Sequence, residues 1–116
     1  MARLAGPTES RNRVVDSAVM QIAELQDVLR RTYFDRDSGR GPDGVFRWMV
    51  EEVGEVAHAM RTPEDREALE MELSDVLAWL TSLANLLDVD PDRAASGYAN
   101  GCPKCGAIPC ACGSRR

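Results

Sequence analysis

The chain has 116 residues, 44% of them hydrophobic and only 5% aromatic, with a formal net charge of −5. That length allows one domain with a modest core, of the size that self-association often supplements, and a composition led by Ala, Leu, Val and Met suits packed helices better than sheet. No apolar run reaches the roughly 18 residues of a membrane span, and residues 43–92 hold 13 acidic against 3 basic side chains, which argues against a basic nucleic-acid-binding face.

Residues 1–10 read as a disordered lead, with Gly6-Pro7 breaking any early helix, and Met1 to Arg13 contains no hydrophobic signal region. A cytoplasmic protein is expected. From Arg11 to Tyr33, Val14, Val15, Ala18, Ile22, Leu25 and Leu29 recur at helical spacing and predict an amphipathic first helix. Residues 35–44, DRDSGRGPDG, contain three glycines and a proline and predict a mobile loop carrying Arg36 and Arg40, which could reach over bound phosphate.

A second helix is predicted from Asp43, with Phe46, Met49, Val50, Val53, Ala57 and Met60 as its core face. Thr62-Pro63 is a helix-start signal and opens a third helix to about Leu87, whose expected core stripe is Leu69, Leu73, Val76, Leu80, Leu83 and Leu87. Asp90-Pro91 repeats the signal and predicts a short fourth helix ending near Tyr98. The domain organisation is then a lead at 1–10, an all-α domain at 11–98 and a Cys-rich tail at 99–116.

Two rows of side chains stand out. Trp48, Glu52 and Glu55 lie along one side of the second helix, and Glu72, Asp75 and Trp79, continued by Ser82 and Leu86, along one side of the third. In an antiparallel hairpin turning at Thr62-Pro63, Trp48 faces Trp79, Glu52 faces Asp75 and Glu55 faces Glu72. Like charges so placed repel, and a hard divalent cation with oxygen ligands, Mg²⁺ or Mn²⁺, would relieve them. A solvated acidic face is the plainer alternative, and Glu55 with His58 forms a single ExxH pair where a di-iron centre needs two. Each helix has a core face and a second, part-acidic side that another subunit would cover, so a homodimer or higher homo-oligomer is expected.

EEVGEVAHAM at 51–60 followed by ELSDVLAWLTSLANLLDVD at 72–90 resembles the MazG-like all-α nucleoside triphosphate pyrophosphohydrolases, whose signature is EExxE followed by ExxD. The resemblance implies a MazG-like bundle in which Glu52, Glu55, Glu72 and Asp75 bind Mg²⁺ and a nucleoside triphosphate is cleaved to the monophosphate and pyrophosphate. It implies that Glu51 orients or activates the attacking water, and it places Asn85 where family members have polar ligand contacts. Trp48 and Trp79 could wall in or stack on the base, or fill core. Family members often carry further basic residues after the ExxD helix, whereas here only Arg93 and Lys104 precede Arg115-Arg116.

The tail, CPKCGAIPCAC at 102–112, sets Cys102, Cys105, Cys110 and Cys112 close enough for a compact structural Zn²⁺ site, the alternative being a flexible, partly oxidised segment. Similar cysteine tails occur on some small MazG-like proteins. The reading is a Mg²⁺-dependent nucleotide pyrophosphohydrolase, and its rival is a non-catalytic, zinc-tailed helical interaction module.

Overall fold

Gln21 opens the first helix of the computed structural model, which describes residues 19–113. Three helices follow in order, α1 at Ile22–Ala59, α2 at Arg66–Leu87 and α3 at Pro91–Ala95, then a 3-10 turn at Ser96–Tyr98. Among the described residues there is no strand, and the two long helices α1 and α2 pack on each other, as the all-α expectation requires. The expected lead at 1–10 and the start of the first helix, with Val14, Val15 and Ala18, lie outside the described residues.

α1 begins where the Gln21 N–H donates to Glu24 Oε1 at 2.8 Å, satisfying a helix-start donor. Leu25, Leu29 and Tyr33 then follow at four-residue spacing and meet Ala78 of α2 in the buried core. Farther along, the predicted loop at 35–44 is corrected: two helical segments meet within it at one sharp kink. The Asp37 carboxylate, 3% exposed, accepts from Arg40 at 3.1 Å and secures the turn before the glycines.

The break is confined to Gly41, with φ 76° and ψ 167°, a conformation essentially reserved for glycine. Pro42 favours that extended ψ in the residue before it and supplies a first helical residue that needs no N–H partner. A Cβ on Gly44 would lie 3.1 Å from Arg40 Cβ, so a residue without one suits the close approach across the kink.

The hairpin turn falls at Thr62-Pro63 as predicted, but α2 starts three residues later. Asp65, not Thr62, is the cap, its carboxylate accepting from the Ala68 N–H at 3.1 Å, while Thr62 and Pro63 belong to the turn. α2 ends at Asp88 in the left-handed region (φ 56°), with the Val89 N–H reaching back to Ala84 O at 2.9 Å. Asp90 caps α3 through the N–H groups of Asp92 and Arg93, with Pro91 in its first turn, as the sequence predicts.

The expected core stripes hold only in part: Leu69, Val76 and Leu83 of α2 and Met49 of α1 are half-buried. α2 buries Asp75, Ala78, Trp79, Thr81, Ser82 and Asn85, while Leu73, Leu80 and Leu87 of the predicted core stripe are about half exposed. On the second half of α1, Phe46, Val50, Val53 and Met60 are likewise exposed. The side on which the helices meet is the one that carries the Trp48–Trp79 stack and brings Glu52, Glu72 and Asp75 together, and the exposed aliphatic residues lie to one side of it.

Candidate active site

The helix spacing and the hairpin register together build this site. The Trp48 and Trp79 rings stack with centroids 5.7 Å apart and planes 8° from parallel, fixing the register predicted for the pair. One turn away, Glu52 is hydrogen-bonded to Asp75, and Glu72 joins them, the three offering carboxylate oxygens all within 4.8 Å of one another. Asp75 is buried, and Glu52 and Glu72 are half-buried.

Burial first, then the charge and hydrogen bond of Asp75 and the charge of Glu72, hold the Glu52 carboxyl above its ordinary value of 4.5. Crowded, partly desolvated carboxylates of this kind favour a bound cation, and three oxygen donors suit a hard one. The donor set therefore fits Mg²⁺.

A MazG nucleotide pyrophosphohydrolase domain matches residues 40–100, more than half of the chain. This chain belongs to the MazG family. The match spans both halves of the carboxylate site. The comparison with curated proteins returned no match.

The remaining predicted site residues of this MazG-family chain fall in several places. Glu55 and Glu51 are exposed on α1 and stand outside the three-carboxylate group. Arg36 is exposed on the first half of α1. Arg40, expected on a mobile loop, is instead held by Asp37 and lies with its guanidinium 5.3 Å from the centroid of the Trp79 ring. Trp79 is 1% exposed and has no surface to offer a base, whereas Trp48 keeps 42% of its own.

Asn85 is buried and engaged within the fold. Its Oδ1 accepts from Arg30 at 2.8 Å and its Nδ2 donates to Gln26 O at 3.1 Å, tying the start of α1 to the end of α2. His58 is exposed and belongs to neither group of metal-competent side chains among the described residues, consistent with a surface role.

The buried polar residues Asp37 and Thr81 carry no expectation from the sequence, whereas Ser82 belongs to the row expected to face the metal. Asp37 was hidden by the loop assignment, although its three-residue spacing to Arg40 is a helical pairing signal. Ser82, fully buried beyond Trp79 on the same side of α2, has a hydroxyl without a hydrogen-bond partner among the described residues.

At the other end of the chain, Cys102, Cys105, Cys110 and Cys112 form the second metal-competent group, with their sulfurs within 4.8 Å of one another. Backbone N–H groups of Ala107 and Ala111 directed at its sulfur pull the Cys105 thiol down to about 6, while the other three sulfurs around Cys112 push it up to about 11.

Proposed function

We propose that this MazG-family chain is a Mg²⁺-dependent pyrophosphohydrolase that cleaves a nucleoside triphosphate, ribo or deoxy, to the monophosphate and pyrophosphate. The observation that carries it is the convergence of Glu52, Glu72 and Asp75 beside a tryptophan stack, inside the segment matched to the family. Glu52, Glu72 and Asp75 would hold the metal, with Glu55 one turn further along α1 to extend the site toward a second ion. Mg²⁺ so bound neutralises phosphate charge and makes the phosphorus more open to attack.

In this reading Glu51 orients the water and takes its proton as oxygen bonds to the α-phosphorus. The bond from that phosphorus to the α–β bridging oxygen breaks, and pyrophosphate leaves. Arg40 faces the polyphosphate from beside the tryptophans, with Arg36 assisting from solvent, and the open surface of Trp48 stacks on the base.

The same chain would work as a homo-oligomer. The exposed residues Phe46, Val50, Val53 and Met60 on α1, and Leu73, Leu77, Leu80 and Leu87 on α2, follow the alternating three- and four-residue spacing of a helix-packing seam, with Ala57 and Ala84 filling the remaining places. A second copy presenting the same stripes would complete a four-helix bundle.

Pyrophosphate release from a panel of NTPs and dNTPs, with Mg²⁺ or with EDTA, tests the activity. The expected result is release that needs the metal and is lost in Asp75→Ala and Glu52→Ala while far-UV circular dichroism holds. Folded, metal-supplied protein that cleaves none of them would favour the interaction module, the reading to which the few basic residues after α2 belong.

A further inference from the structure

The tail lacks what normally orders a chain. No residue from 91 to 113 is buried, Tyr98 is 61% exposed and Ile108 80% exposed, so no apolar core holds this segment. Its backbone is nevertheless tightly turned. The Gly106 N–H donates to Cys102 O at 2.7 Å and the Cys102 N–H to Ala107 O at 3.2 Å, closing a knuckle around Cys102-Pro103-Lys104-Cys105.

Glycines sit where that path demands them. Gly106 has φ +73°, and at Gly101, with φ +111°, a Cβ would fall 2.5 Å from Ile108 Cγ1 and 3.0 Å from Ala107 O. Backbone N–H groups point at sulfur rather than oxygen, among them Ala111 to Cys105 Sγ at 3.2 Å and Cys112 to Cys110 Sγ at 3.3 Å.

The sulfurs themselves discriminate between two explanations. Cys102 and Cys112 are 3.8 Å apart and Cys105 and Cys110 are 3.9 Å apart, with all four within 4.8 Å. A disulfide needs about 2.05 Å. A tetrahedron built on Zn–S bonds of about 2.3 Å has sulfur–sulfur edges of about 3.8 Å. We propose that Cys102, Cys105, Cys110 and Cys112 bind one Zn²⁺ as a closed tetrathiolate, and that this ion stands in for a hydrophobic core in holding residues 99–113 in their fold.

On binding, each thiol gives its proton to solvent and its sulfur becomes a ligand. Four protein ligands leave no open position, so the ion is structural, and soft thiolates select zinc while the hard carboxylates of the α1–α2 hairpin select magnesium. The two sites therefore sort metals by chemistry.

The test uses the full chain, purified under reducing conditions. One equivalent of zinc per chain by elemental analysis is expected, and titration of stripped protein with Co²⁺ should give intense tetrahedral ligand-field bands with thiolate charge transfer, saturating at one equivalent. Cys105→Ser/Cys110→Ser should abolish both while leaving the far-UV circular dichroism of α1 and α2 in place. Asp75→Asn should leave the cobalt spectrum unchanged, keeping this site separate from the carboxylates. Zinc should also slow tryptic cleavage after Lys104 at least tenfold.

The proposal is overturned by four thiols that react equally fast with and without zinc. It is equally overturned by a weak octahedral cobalt spectrum, or by wild type and the double variant cleaved at Lys104 at the same rate in zinc.

Discussion

Glu52→Gln should raise the stability of the metal-free protein and remove its response to Mg²⁺. Carboxylate oxygens of Glu52, Glu72 and Asp75 lie within 4.8 Å of one another. Two full charges at that separation repel by about 1 kcal/mol in a water-like medium and by about 3 kcal/mol at an effective dielectric of 20. Glu52 is only half-buried, so the lower figure applies, and about 1 kcal/mol corresponds to a rise in Tm of about 4–8 °C for a domain of this size.

The pH dependence has a definite sign. Because burial, Asp75 and Glu72 raise the folded pKa of Glu52 above 4.5, the folded state binds its proton more tightly than the unfolded state does. The contribution of Glu52 to stability is therefore fully present below the ordinary carboxyl pKa and is lost as pH rises through the raised one. In EDTA the advantage of the variant should be absent in acid and complete near neutrality. Mg²⁺ at a hundred times its Kd would add about 2.7 kcal/mol to the wild type and much less to the variant. Thermal melts followed by circular dichroism, in EDTA and in Mg²⁺ across this pH range, measure both effects. A variant that melts below wild type in EDTA at neutral pH, or that gains as much from Mg²⁺, would refute the crowding of charge at this site.

Other substitutions address the scaffold. Gly41→Ala places a Cβ in a conformation reserved for glycine and should cost about 1–3 kcal/mol, read as a lowered urea midpoint with an unchanged slope. Asn85→Ala removes the two hydrogen bonds that tie α1 to α2, a loss of about 1–3 kcal/mol by the same measurement. Ser82→Ala removes a buried hydroxyl that has no partner among the described residues and should be neutral or stabilising by up to about 1 kcal/mol. Light scattering tests the proposed self-association: wild type should run above the mass of one chain, and Leu80→Asp, which puts a charge on the exposed stripe of α2, should run as a monomer.

The hairpin and its site were legible because position alone encodes them. Trp48, Glu52, Asp75 and Trp79 sit at four-residue spacing on two helices joined by a short turn, and those intervals survive any detail of packing. Which face turns inward is not legible: Leu73, Leu80 and Leu87 are apolar enough to be core, yet the buried side of α2 carries Trp79 with the polar Asp75, Thr81, Ser82 and Asn85. The segment 35–44 was misread because glycine and proline count as breakers wherever they fall. Here a single residue, Gly41, takes up the whole bend, while Asp37 and Arg40 hold the turn before it.

Arg40 and Trp48 lie on opposite sides of Gly41 in the chain, yet both press against the same buried indole of Trp79. Both arms of α1, the one before the bend and the one after it, thus meet α2 at a single indole. Asp75 stands one turn away on the same helix, so the residues on either side of Gly41 and the buried carboxylate share one small stretch of α2.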